Sequence, residues 1–425
     1  MICSSLRSAF LLNLTIATSL TAAFPGSAHG ADYAIVGGTV HTLISDQPLE
    51  QAVVLVSDGW ISAIGADLAV PSGYEIVAAA GKVVTPGLID SYSQLTISEI
   101  GGEASTVDSQ VVAYASGPAF DVRYALNPEA TALAVNRRDG VTRAVVAPRP
   151  GNDPLAGWGV TIRLADVEPL VSTDVALFGA LGANAAMFTG GSRSALIQRL
   201  RRGLQQARGY STNRYQPGPG DYSHQDLAAL QRFLKADVPL VLEAHRAVEI
   251  REAVKLAEDF DLQLVVLGGT EAWKESAQLA AAGVPVVVNV LANLPTSFER
   301  LGARLDNAAL LHEAGVQVLF TGGETQNVRW LRQAAGNAVA YGMPWSAALR
   351  AATASPGSVW SFPEGTGTLA KGAPADLVIW NGDPLELSNW PERVMIDGEW
   401  QSLESRQTRL FERYQDLSDE NLYYQ

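Results

Sequence analysis

Two patterns of apolar residues alternate along the chain. From Ala34 to Val84, β-branched runs such as "AIVGGTVHTL", "AVVLVSDGWISAIG" and "YEIVAAAGKVV" are cut by Gly37-Gly38, Asp58-Gly59 and Gly81. Short apolar runs closed by turn residues predict strands. The same texture returns in "GTLAKGAPADLVIWNGDPLE" and "PERVMIDGEW" near the C-terminus, which predicts one small β-sandwich assembled from both ends. Between them, nearly continuous apolar runs precede helical stretches: "PLVLEA" before "RAVEIREAVKLAEDF", "QLVVLGG" before "AWKESAQLAAAG", and "VQVLFTGG" before "VRWLRQAAGNAVAYG". The runs "VTRAVVA", "VALFGALG" and "VPVVVNVL" add further strands. Repeated strand–helix units predict an α/β architecture, a parallel sheet with both faces covered. About 270 residues of them suit a (β/α)8 TIM-type barrel. A doubly wound open sheet competes, but no Gly-rich phosphate fingerprint follows an early strand. The expected layout is a sandwich from 31–85 and 363–402, a barrel from 86–362, and a tail from 403–425.

Composition narrows the picture. With 47% hydrophobic and 17% charged residues in 425, the chain has material for a large core. A net charge of −14 argues against nucleic acid as a partner. Residues 1–30 carry Arg7, an apolar stretch and Ala28-His29-Gly30, which read as a signal peptide cut before Ala31. The expected product is secreted or periplasmic, with no membrane attachment after cleavage. The single cysteine, Cys3, lies in that segment, so residues beyond it offer no thiol for disulfides, metal or nucleophilic chemistry. The segment "SRSALIQRLRRGLQQARGY" at 192–210 places Leu196, Leu200 and Leu204 on one stripe, with its arginines expected on a wet face. The tail "ENLYYQ" at 420–425 resembles a protease-tag remnant and informs nothing.

The entry "VVTPGLID" at 83–90 and the exit "AALRAATASPGSVW", followed by Gly367, Gly372 and Ala375-Asp376-Leu377-Val378, resemble the amidohydrolase superfamily in its imidazolonepropionase-like branch. That resemblance spans nearly all of the chain after residue 30. It implies a split sandwich around a barrel, with one or two divalent metals at the C-terminal mouth hydrolysing C–N bonds. The family ligands are a His-X-His on the first strand, sometimes a carboxylated lysine on the fourth, a histidine each on the fifth and sixth, and an aspartate on the eighth.

This chain departs from that pattern at every ligand position. Tyr92 and Gln94 stand at the His-X-His, Glu243 or His245 on strand five with Glu243 the better match to the slot, Gly268 on strand six and Gly322 on strand eight. No lysine occurs between Lys82 and Lys235, so strand four has none to carboxylate. Glycine supplies no ligand, and glutamine and neutral tyrosine are poor ones. His41, His224 and His312 fall in a sandwich strand, a helix start and a late helix; only His245 is expected at the mouth.

Asp90, Tyr92, Gln94, Glu99, Glu243, His245, Arg246, Glu271 and Glu324 are the side chains expected there. Glu243 and His245 lie two apart on one strand and so face the same side. With Asp90 they form a candidate acid–base set needing no metal, and the same three would suit one divalent cation. Tyr92, Gln94, Arg246, Glu271 and Glu324 are candidate substrate-binding groups. Each also has a structural reading, in hydrogen bonds to backbone or pairs with neighbouring charges. No cofactor is expected. Residues 289–311, "NVLANLPTSFERLGARLDNAALL", form a long loop read as a lid, a subunit contact or plain chain. Three functions compete, the first two being a ligand-binding or partner subunit beside a paralogous amidohydrolase or a second copy, and a divergent hydrolase of non-peptide C–N bonds. A conventional metal-dependent amidohydrolase is the third.

Overall fold

The computed structural model describes residues 31–112, 117–218 and 220–415. The expected signal at 1–30 and the hexapeptide at 420–425 lie outside them. The strands are β1 (Tyr33–Val40), β2 (Leu49–Ser57), β3 (Trp60–Gly65), β4 (Glu75–Ala78) and β5 (Val83–Pro86), then β6 (Leu88–Ser93), β7 (Val141–Val146), β8 (Leu155–Arg163), β9 (Leu170–Ala180), β10 (Leu240–Ala244), β11 (Leu264–Gly268), β12 (Val286–Val288) and β13 (Val318–Phe320). The last three are β14 (Leu377–Trp380), β15 (Pro391–Ile396) and β16 (Glu399–Trp400).

The two chain ends meet as the alternating pattern predicts. β14 lies antiparallel to β5, with Leu377 opposite Pro86 and Ile379 opposite Val84. The sandwich is realised as one continuous sheet in the order β16-β15-β14-β5-β1-β2-β3, with β4 also on β1. The sheet curls until β3 meets the segment ahead of β14: Ile61 N–H donates to the Ala373 carbonyl at 2.9 Å, and Ala375 N–H to Gly59 at 2.9 Å. Ile35, Val54, Ile61, Val84, Leu377 and Met395 are buried inside that curl.

The second sheet is a nearly closed barrel of eight strands in the order β13-β12-β11-β10-β9-β8-β7-β6. It differs from eight parallel repeats at β8, which runs antiparallel to both β7 and β9. No helix separates β7, β8 and β9. The "LAGWGVTIR" of β8 is interrupted by two glycines, which make room for neighbouring groups. A Cβ on Gly159 would lie 2.4 Å from the Phe178 ring, and Gly157 adopts φ +122° where a Cβ would meet the Phe120 carbonyl oxygen at 2.3 Å.

The seam between β6 and β13 has no strand ladder among the described residues. Side chains bridge it instead. Thr321 donates its hydroxyl to the Tyr92 carbonyl at 2.8 Å, and Gly322 N–H donates to Asp90 Oδ2 at 2.7 Å. Around the barrel, the helix Arg193–Arg208 buries Leu196, Leu200 and Leu204 as its spacing predicts, capped by Ser192. Its arginines do more than face water: Arg199 pairs with Asp153, Arg201 with Asp259 and Arg202 with Asp221. No helix among the described residues is long and apolar enough to cross a membrane.

Candidate functional site

The C-terminal ends of the barrel strands open into a cavity of about 290 Å3. It is lined by Tyr92 from β6, Glu243 from β10, and His245 just beyond it, with Thr270 after β11, Arg300 after β12 and Glu324 after β13. Parallel strands bring their ends to one face, so residues far apart in sequence converge there.

Glu243 and His245 share the cavity as their spacing predicts. The carboxylate Oε1 lies 3.1 Å from His245 Nε2. On the other side of the ring, Nδ1 lies 2.8 Å from the Thr270 hydroxyl. Nε2 donating to the carboxylate and Nδ1 accepting from Thr270 is the tautomer that satisfies both contacts. Burial pushes the Glu243 carboxyl up, but the His245 hydrogen bond and the Arg300 and Arg149 charges outweigh it and hold the group below the usual carboxylate range. Glu243 is therefore an anion at neutral pH and a weak base.

Asp90 is not on the cavity wall. It is fully buried at the β6–β13 seam and accepts from Tyr92 N–H at 2.9 Å and Gly322 N–H at 2.7 Å. Burial pushes it up to about 7, against those two amides and Thr321. The Thr321 hydroxyl lies 3.1 Å from Asp90 Oδ1 and 2.8 Å from the Tyr92 carbonyl, so its one proton is shared between the two acceptors. The expected Asp90–Glu243–His245 set thus reduces to Glu243 and His245.

Other expected residues separate in the same way. Tyr92 and Glu324 line the cavity, Glu324 paired with Arg149 at 2.9 Å. Burial, followed by the Glu243 charge, pushes the Tyr92 phenol up, so it stays protonated. Gln94 is buried off the wall. Glu271 accepts from Ala247 N–H at 2.9 Å and from Lys274 at 2.6 Å, tying down the start of the helix Ala247–Phe260. Arg246 is exposed ahead of that helix, and Glu99 accepts from Asn127 at 2.5 Å; neither reaches the cavity. The residues that sequence reasoning missed are Arg149, Thr270, Arg300 and Arg304. Arg149 follows β7 by three positions and Thr270 follows β11 by two, so the strand-end rule was signal enough for both. Arg300 and Arg304 come from the 289–311 loop, whose path no periodicity reveals.

The donor set does not fit the metal centre that the resemblance implies. A Cβ on Gly322 would stand 2.6 Å from the Val328 carbonyl oxygen and 2.7 Å from that of Asn327, so the backbone itself fills the space of an aspartate. Gly268 sits at φ +89°, where a Cβ would meet His245 Cε1 at 2.5 Å. Among the described residues, no three of His, Cys, Asp and Glu are grouped to hold a metal ion. These positions are closed as well as substituted.

Comparisons with known proteins place the scaffold. Residues 247–401 match the model of the amidohydrolase family. The structure resembles an amidohydrolase from Thermotoga maritima MSB8 with a TM-score of 0.77 and 26% identity, over 87% of this chain and 99% of that one. Phenylurea hydrolase B shares the fold at a TM-score of 0.55 and 14% identity, over 88% of this chain and 97% of its own. The amidohydrolase tasK of Hapsidospora irregularis is 22% identical over 388 residues, which are 81% of this chain but 39% of its own length. The chain carries an amidohydrolase-family region on an amidohydrolase fold.

Proposed function

We propose that this protein binds a small molecule at the barrel mouth without the binuclear metal centre of its hydrolase relatives. The observation that carries the reading is Gly322: at the strand-eight ligand position its amide serves Asp90, and backbone carbonyls occupy the volume a ligand side chain needs. The cavity itself is retained, with polar and apolar lining, at the lower end of the range for small-molecule sites. The signal-like N-terminus adds a location outside the cytoplasm to the proposal.

A second reading has one observation in its favour. The chain Thr270–His245–Glu243 resembles an acid–base relay and would suit metal-free hydrolysis of an amide. The lowered basicity of Glu243 works against it as a proton acceptor. Small amides and cyclic amides assayed with and without prior chelation separate the readings. The binding reading expects no turnover in either state. Chelator-insensitive turnover abolished by Glu243→Gln selects the relay. Chelator-sensitive turnover restored by a divalent metal overturns both.

A further inference from the structure

His245 Nε2 has two claimants. Glu243 Oε1 lies 3.1 Å away and Arg300 Nη2 lies 3.2 Å away. One ring nitrogen serves only one of them. If Nε2 accepts from Arg300, its lone pair faces an anionic oxygen; if it donates to Glu243, Arg300 faces an N–H and gains nothing. The anion wins, because a bare lone pair 3.1 Å from a carboxylate oxygen is repulsive, whereas the Thr270 hydroxyl can serve Nδ1 in either tautomer. Arg300, which only donates, is then left without an acceptor. Among the described residues, its guanidinium has no other hydrogen bond and no ion pair.

The other arginines on the wall are engaged. Arg149 pairs with Glu324 at 2.9 Å, and Arg304 grips Asp306 through two bonds of 2.7 and 2.6 Å. Nor is Arg300 on a loose segment. Its neighbour Glu299 accepts from Ala183 N–H at 2.6 Å and from Arg193 at 2.5 Å, fixing the short turn Phe298–Arg300 against the body of the barrel. A guanidinium held at a cavity wall with donors that no protein acceptor takes is preorganised for an oxyanion.

Resting on the metal-free binding reading above, we propose that the cavity takes a small monocarboxylate, with Arg300 as the group that receives the carboxylate. Glu243 is an anion in the same cavity and repels a dianion, which disfavours phosphate and phosphate esters. Leu267, Val288, Val290 and Leu305 supply wall for an apolar body.

The test uses matched carboxylates and primary amides, from acetate and acetamide to phenylacetate and phenylacetamide, with inorganic phosphate alongside. Each is titrated into the full chain by calorimetry, with thermal shift as a second readout. At least one carboxylate should bind, with its amide at least about tenfold weaker. Arg300→Gln should weaken that carboxylate by at least about tenfold and Arg300→Lys by less, because the charge survives while the fork is lost. Circular dichroism melts establish that each variant folds, and Arg329→Gln, off the cavity wall, should bind as the parent does. Equal binding of acid and amide overturns the carboxylate assignment while leaving small-molecule binding intact. An unchanged affinity in Arg300→Gln, tighter binding of phosphate, or binding of no carboxylate overturns it as well. Chelator-sensitive turnover would sink the underlying reading instead, so the two failures are distinguishable.

Discussion

Buried charge is handled in opposite ways at two places in this molecule. At the junction between the curled sheet and the barrel, Arg143 is 1% exposed and lies between Asp376 and Asp397. Asp376 accepts from the Asp397 amide at 2.8 Å, and Asp397 also pairs with Arg163 at 2.8 Å. Every charge there has a partner. At the barrel mouth, Glu243 and Arg300 converge on one imidazole nitrogen that cannot satisfy both. A closed network holds domains together, whereas an open one keeps bonding capacity for something that arrives later. The difference separates architecture from function without reference to sequence identity.

Arg143→Met should break the junction hardest. It leaves Asp376, itself 4% exposed, without its counter-charge, and about 3–5 kcal/mol of stability should be lost in urea unfolding. A loss under 1 kcal/mol would show that the junction is as loosely tied as the mouth.

Asp90 tests the seam through pH. Its folded carboxyl sits near 7 against 3.8 for the free group, so between those values the folded state holds a proton that the unfolded chain has lost. Its contribution is complete below pH 4 and is lost as pH rises to about 7, by on the order of 3–4 kcal/mol. Asp90→Asn should flatten that slope in denaturation measured across the window. An identical slope in the variant removes Asp90 as its source.

Gly322→Asp places at the mouth the aspartate that the resemblance implies. The added atoms meet backbone carbonyls that cannot swing away, so a destabilisation of about 1–3 kcal/mol is expected, with no gain of bound metal by elemental analysis. Full stability together with tight zinc binding would show that the space opens after all.

The smallest effect sharpens the comparison from the other side. Without ligand, Arg300→Gln should change stability by no more than about 1 kcal/mol in the same unfolding assay, since it removes a charge near Glu243 but breaks no ion pair of the fold. A loss like that of Arg143 would make the mouth another structural network.

The contrast between regular and irregular segments also explains what the sequence reveals. The β5–β14 meeting was legible because both ends carry short apolar runs cut by turn residues, and Leu377–Trp380 are buried without a break. The strand-end pair Glu243 and His245 was legible because residues two apart on a strand face the same side. β8 was hidden because glycines answering to Phe178 and Phe120 replace the apolar residues that announce a strand. The sequence places Asp90 at the mouth because a carboxylate beside the ligand positions suggests chemistry, whereas in the structure both its oxygens are taken by the seam. Arg300 was illegible because its position depends on Glu299 gripping Arg193, more than a hundred residues earlier in the chain.

Elemental analysis of the full chain, purified without chelator and with zinc, manganese, nickel and iron present during expression, addresses the central claim most directly. Closed ligand positions predict metal well below one atom per chain. One or two tightly held atoms per chain, lost together with Glu243 and His245 when both are replaced, would contradict it.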